Sequence, residues 1–386
     1  MIYGFIVFNN NDIPFVMDDY KLELFGNDDH ITDFCKSHNH QQNYILYGKR
    51  YNDGIIPYYF EAVVAYSIGT TCYLSCYSIG SIGEKKNVNQ IRYKSDELDC
   101  ILKNQYNYLD FARNDVNLSK EQKEVYHFTF ALKNHDYEAV YRIGRDSNLG
   151  LLSSSRDSGE LVITPCPDDL IGCLELSKLI QRMMIFIAGT SKVFFSSIEA
   201  YDSVVPAFAF YYEAVSDRGC YDSAVRYYQF DVDKFLPPIL QNLALDPGET
   251  ITKSIPLGHI FGEMIPCTPH RFIEQVFSFE YLFEKLEPSI AKKQELHLKG
   301  ELEMMFERFP SILANGTMSN DTVSERIKNL RRELTHGKKY HYDFGMNRDI
   351  QLLTIYLDKL ILKMSLLLIG FSDDEIVDYC IGTRHY

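Results

Sequence analysis

The sequence predicts an α+β protein in which a β-rich N-terminal region, residues 1–250, precedes an all-helical bundle, residues 268–386. Three observations predict it. From Met1 to about Asn148 the chain is built of strand-length aromatic and β-branched runs separated by Asn, Asp and Gly. After Thr268 the apolar period changes from two to about 3.6. Between them lies a stretch punctuated by Pro237, Pro238, Pro247 and Pro256, which places the boundary within residues 240–268.

The strands expected in the first region are IYGFIVF, YILYG, YYFEAVVAYSI, TCYLSCYSI and VYHFTFAL. The echo of YSIG at Tyr66–Gly69 and Tyr77–Gly80 marks two strand ends but is too short for a repeat architecture. After Pro165 and Pro167, Asp168 or Asp169 caps a helix that carries Leu170, Leu174, Leu179, Met183 and Ile187 on its apolar side and stops near Gly189. Strands follow at Val193–Tyr201 and Ala207–Tyr212.

In the second region Thr268 before Pro269 is a helix start, because the hydroxyl can cap and proline at the first helical position gives up no hydrogen bond. That helix runs to about Leu286. A second spans Ser289 to Phe309 and ends at Pro310. A third begins near Asp321 and puts Val323, Ile327, Leu330 and Leu334 on one stripe. A fourth covers about Asn347 to Leu368, and Ser372 with Glu375 at capping-box spacing opens a fifth.

Composition excludes several classes of function. With 46% hydrophobic and 24% charged residues the chain reads as folded rather than disordered. The apolar start, Met1 to Phe8, lacks a basic leader, and the stretch Ile350 to Phe371 contains Asp358, Lys359 and Lys363. Neither a signal peptide nor a membrane span is expected, so the reading is a cytoplasmic protein without a membrane partner. Nine scattered cysteines argue for free thiols. Cys72 and Cys76 share a strand face without the second pair a zinc shell needs, and Cys35, His38 and His40 fit a loop better than a ligand set. Gly80, Gly83, Lys85 and Lys86 lack the Gly-Lys-Ser/Thr ending of a phosphate loop, Ser153–Ser155 lack a nucleophile elbow, and no metal or cofactor is expected. The 28 tyrosines and absence of tryptophan fit compositional bias or, alternatively, a recognition surface.

A net charge of −14 excludes unspecific coating of nucleic acid. Between Arg326 and Arg348, however, seven basic and two acidic residues give a local +5, which leaves −19 on the remainder. Within this window the third helix ends IKNLRRELTHGKK: Arg331, Arg332 and His336 crowd a helix terminus, Gly337 is the stop, and the free carbonyls there favour an imidazolium.

Arg331, four residues, then His336 on the third helix of a small bundle resembles the Arg-x4-6-His signature of HEPN ribonucleases, and the run IKNLRRELTHG resembles the ApeA-like branch associated with anti-phage defence. The resemblance is closest over residues 268–386; for the N-terminal region it extends to the layout of a β-rich, sensing or regulatory domain. It implies a HEPN-type bundle and a metal-independent endoribonuclease acting as an abortive-infection effector. Arg331 and His336 would be catalytic, Glu280 within FSFEYLFEKL matches an acidic position of the branch, and transfer RNA is the first substrate to consider. It further implies a homodimer or higher even oligomer that joins two motifs in one cleft, and a phage-derived trigger. Lys338, Lys339, Tyr340 and His341 are candidate RNA-binding residues, Lys338, Lys339 and His341 for flanking phosphates and Tyr340 for stacking on a base. The chain departs from the family in carrying Arg332 where Asn commonly follows the motif arginine.

On a straight helix Arg331 and His336 point about 140° apart, whereas Arg332 and His336 share a face. Either the helix ends early or Arg332 takes part. Two other classes of function stay open: a non-catalytic HEPN dimerisation or RNA-binding module, and a β-rich ligand-binding domain as the working part.

Overall fold

The computed structural model describes residues 1–26, 28–38, 41–50, 58–80, 88–102, 123–145, 157–188, 193–202, 205–215, 231–246, 267–293, 296–314, 318–336 and 344–383. The chain is α+β and forms two compact units, one of Met1–Gln181 with Val193–Ser223, the other of Arg182–Lys192 with Ala224–Tyr386.

The first unit is built on one antiparallel sheet. Its strands, among the described residues, are β1 (Ile2–Phe8), β2 (Asn11–Asp18), β3 (Lys21–Leu24), β4 (Tyr44–Arg50), β5 (Tyr58–Ile68), β6 (Thr71–Gly80), β7 (Gln90–Lys94), β8 (Lys123–Leu132), β9 (His135–Arg145), β10 (Asp157–Thr164), β11 (Ser197–Asp202) and β12 (Val205–Tyr212). They run in the order β3-β2-β1-β4-β5-β6-β12-β11-β7-β10-β9-β8, and a further pairing of β3 with β6 closes the first six into a barrel. β6 is forked: Thr71–Tyr73 pair with β3, while Cys76–Gly80 pair with β12. Tight hairpins set the register. Asn9 and Asn10 form the two-residue link between β1 and β2, and Lys133 and Asn134 that between β8 and β9, all with positive φ. Asparagine tolerates that conformation because its short amide bonds locally to the backbone. Alternation then sends Ile13, Phe15 and Met17 of β2 and Leu22 and Leu24 of β3 into the barrel core with Phe60, Ala62 and Val64 of β5.

Helices α1 (Asp28–His38), α2 (Asp96–Leu102) and α3 (Leu170–Ala188) interrupt the strands. Asp169 is the residue that caps α3, its Oδ1 accepting from the Gly172 N–H at 2.7 Å. The expected strand at Val193–Tyr201 begins later, at Ser197.

The helical unit starts earlier than the sequence suggests. The Pro-rich stretch contains α4 (Val232–Ala244), with Pro237 and Pro238 inside it and Asp231 capping the Lys234 N–H. Burial outweighs the prolines: Val232, Phe235, Leu236, Ile239, Leu240 and Leu243 are all buried, and the Phe235 ring sits edge-on to Phe371 and Tyr379. Residues from Ala224 onward therefore belong with the helices rather than with the β-rich region.

Next come α5 (Pro269–Leu286), α6 (Pro288–Lys293), α7 (Leu298–Arg308), a 3-10 turn at Pro310–Ile312, α8 (Asn320–Thr335), α9 (Phe344–Ile369) and α10 (Asp373–Thr383). Thr268 caps α5 as its sequence requires, and Ser372 and Glu375 exchange the two bonds of a capping box at α10. The single helix expected over Ser289–Phe309 is two, because only the second half has a continuous buried face, Leu298, Leu302, Met305 and Phe306.

α5 packs on α9, and the Arg271 guanidinium meets the Asp358 carboxylate at 2.8 Å where both side chains are almost fully buried. Burial pushes the Asp358 carboxyl up, to about 7, while Arg271 pulls it down. Removing one partner strands the other charge away from water. We expect Arg271→Met to lose about 3–5 kcal/mol of unfolding free energy. The double variant Arg271→Met/Asp358→Leu should recover most of that loss in urea titrations of the full chain.

Candidate functional site

α8 places the motif. Its start is fixed by the Ser319 hydroxyl, which accepts from the Thr322 N–H, and its rotation by the buried stripe Val323, Ser324, Ile327 and Leu330. Leu334, expected on that stripe, is half-buried. Arg331, one step past Leu330, falls on the shoulder between core and solvent, with about a third of its side chain exposed. Arg332 and His336 are exposed, and neither side chain has a partner among the described residues.

The helix ends at Thr335. His336 is the C-cap, with φ −94° and ψ 12°, and its N–H donates to the Arg332 carbonyl at 3.1 Å. The Thr335 hydroxyl bonds back to the Arg331 and Arg332 carbonyls at 2.9 and 3.4 Å. The His336 N–H still makes the helical i to i−4 bond, so the spacing holds through His336: Arg331 stays on a different face, and Arg332 lies on the side of the imidazole.

Glu280 of α5 does meet Arg331. Its Oε2 accepts from Arg331 Nη2 at 2.8 Å, with both side chains about one-third exposed. One turn earlier on α5 the exposed ring of Phe277 lies 5.8 Å from the Arg331 guanidinium carbon, within cation–π range. Burial pushes the Glu280 carboxyl above the usual carboxylate range, and Arg331 acts in the opposite direction.

A second carboxylate escapes sequence reasoning. Glu301 in the first turn of α7 is also raised, first by burial and then by Glu280, with Arg331 opposing. Its only sequence signal is an acidic residue near a helix start, which reads as ordinary dipole complementation.

The basic window is narrower than its composition suggests. Arg326 pairs with Asp349 of α9, and Lys328 with Glu325 at 3.2 Å. Lys299 of α7 bridges to Asp321 at 2.6 Å, Glu303 at 3.4 Å and Glu325 at 3.8 Å. Of the window's described arginines, Arg332 and Arg348 have no carboxylate partner among the described residues, and Lys338, Lys339, Tyr340 and His341 lie outside those residues. What the described site offers is a bracketed guanidinium, a second open guanidinium and a solvent-facing imidazole at one helix end.

Other constellations weighed in the sequence take packing roles. The His38 ring stacks on Phe34 at 4.3 Å and leans on Tyr44 at 4.4 Å. Cys72 and Cys76 are buried, with the Cys76 thiol directed at the Leu170 carbonyl. No group of three metal-ligating side chains occurs among the described residues, and no described helix is long and apolar enough to cross a membrane. In the first unit a cavity of about 730 Å³ is lined by Asp18, Asp19, Tyr20, Lys21, Tyr66 and Tyr73.

No protein-family profile, curated protein or solved structure matches the chain, so the HEPN resemblance rests on the motif and its flanks.

Ion pairs this exposed contribute at most about 1 kcal/mol. Glu280→Ala should therefore change the unfolding free energy of the full chain by less than about 1 kcal/mol in chemical denaturation. A larger loss would make the Glu280–Arg331 pair a structural clamp.

Proposed function

We propose that the protein is a metal-independent endoribonuclease whose chemistry is carried by Arg331 and His336. The observation that supports this reading is the end of α8, where an exposed imidazole and a partly exposed guanidinium, of the types the HEPN signature requires, emerge within the last turn and a half of the helix.

The reaction needs two things. The 2′-hydroxyl must lose its proton to become a nucleophile, and a neutral imidazole is matched to that task near neutral pH. The charge that develops on the pentacoordinate phosphorus needs a bidentate cation, which a guanidinium supplies. As the 2′-oxygen bonds to phosphorus, the bond to the 5′-oxygen breaks and that oxygen takes up a proton, leaving a 2′,3′-cyclic phosphate and a 5′-hydroxyl. In the dimer implied by the family likeness, the second protomer's His336 supplies the proton.

The setting we propose is anti-phage defence, with cleavage of RNA, transfer RNA first, halting the infected cell. The β-rich region would sense a phage-derived trigger or restrain the nuclease. A second reading, a non-catalytic RNA-binding or dimerisation module, is favoured by the Glu280–Arg331 pair, since an occupied guanidinium also suits a structural part.

Incubation of total RNA in EDTA with the full chain, with product ends mapped, separates the two. Cleavage leaving cyclic phosphates should fall by about 10²–10⁴-fold in His336→Ala, the range expected for a general base. Arg331→Ala should fall comparably. Loss in Arg332→Ala alone would move the phosphate contact to the neighbouring arginine. Cleavage that needs a divalent ion and survives His336→Ala would refute the mechanism.

A further inference from the structure

The outer wall of the barrel carries a hollow of about 730 Å³ over the seam where β3 pairs with β6. Leu22, Leu24, Cys72 and Leu74 point into the barrel core, so alternation sends Lys21, Glu23 and Tyr73 outward. One rung of the sheet crosses the hollow: Lys21 of β3 faces Tyr73 of β6, and Tyr73 faces Tyr66 of β5. The β5–β6 register shifts at Ala65, which is left out between the Val64–Leu74 and Tyr66–Tyr73 pairs. Such a shift bends the strand and makes a concavity in a wall that is otherwise convex. The volume falls within the roughly 300–1,000 Å³ of small-ligand sites.

Two features of the lining select a ligand. The first is a flat aromatic platform. Tyr66 stacks on Tyr73 with ring centroids 4.5 Å apart and planes at 18°, so one face of Tyr66 is covered while the residue stays 47% exposed. The second is negative charge. Of the three carboxylates in the lining, Glu23 is taken by Lys21, Asp18 reaches only the Met1 amine at 4.0 Å, and Asp19 has no ion-pair partner among the described residues. The two aspartates are held in place by the hairpin. Asp18 pairs with Lys21, Asp19 adopts the positive φ of the two-residue turn, and the Tyr20 carbonyl accepts from the Leu74 N–H at 2.8 Å, which ties that turn to β6.

A neutral sugar uses the ring and leaves the charge unanswered, and an ammonium uses the charge without needing a flat surface. A guanidinium uses both, because it is planar, stacks on aromatic faces and presents paired N–H donors to carboxylates. We propose that this hollow binds a guanidinium group, carried by an arginine of a polypeptide or by a free small guanidine, with the cation on Tyr66 and its donors shared between Asp18 and Asp19. The site lies wholly within the first unit and does not depend on the nuclease reading.

The test is calorimetric titration of the full chain with a capped pentapeptide that has one arginine among glycines. The same peptide with lysine or with citrulline in place of arginine is titrated beside it, and so is ethylguanidine. Citrulline keeps the planar shape and removes the charge. The arginine peptide is expected to bind, the lysine peptide to bind about three- to tenfold more weakly, and the citrulline peptide to show no binding up to about 5 mM. Ethylguanidine separates the sources: affinity equal to that of the arginine peptide assigns the site to a free guanidine, and weaker affinity assigns it to a polypeptide.

Tyr66→Leu should weaken the arginine peptide by about two- to thirtyfold, whereas Tyr66→Phe keeps the ring and should hold affinity within about twofold. Asp18→Asn/Asp19→Asn should cost about fivefold and remove most of the dependence on salt. Asparagine accepts the positive φ at position 19, and an unchanged urea midpoint checks that each variant is folded. No binding of the arginine peptide up to about 5 mM, equal binding of the lysine or citrulline peptide, or full affinity in folded Tyr66→Leu would each overturn the proposal.

Discussion

The seating of α5 on α9 is the constraint on which the candidate site depends. Phe272, Val276, Phe279, Leu282 and Phe283 are all buried there, and each is worth about 1.5–3 kcal/mol in apolar transfer. The partly exposed Glu280–Arg331 pair is worth far less, so the core sets the rotation of α5 and the ion pair follows from it. Glu280 succeeds Phe279 and precedes Leu282, which puts it on the shoulder of the helix. Phe277 and Tyr281 then face outward beside it.

The same argument accounts for the charges around the motif. In a chain of net −14, a cation near the surface usually finds a carboxylate close by. Arg326, Lys328 and Arg331 each have one, on three different partners. A positive run in the sequence is therefore not yet a positive surface: Glu325 neutralises it from the same helix, and Asp349 and Glu280 from two others. Arg332 and Arg348 have no carboxylate partner among the described residues, and Arg332 adds an open cation to the helix end where His336 emerges.

How far each element was legible follows from where its determinants lie. Local ones were readable: Thr268 with Pro269, Ser372 with Glu375, and the apolar stripe of α8 each specify a structure within a few residues. α4 was hidden by Pro237 and Pro238, whose local preference is overridden by burial of six apolar side chains. The closing pair β3–β6 was invisible because strand pairing is decided by partners rather than by either strand's own pattern. At the site, Arg331 and His336 form the legible spacing and Glu280 a flank of it, but the direct Glu280–Arg331 bond joins residues 51 apart in the chain and has no local signal.

The fork in β6 bears on how the protein is made. The six barrel strands are complete once Gly80 has been synthesised, yet Cys76–Gly80 wait for β12, whose Phe208 is the partner of Gly80. Until that distant segment emerges, the far half of β6 is a raw sheet edge carrying Tyr77 and Ile79, the kind of surface that recruits strands from other chains. A nascent or truncated protein ending before Val205 would carry that sticky margin permanently, so solubility of the N-terminal region is bound to a strand encoded well beyond the barrel itself.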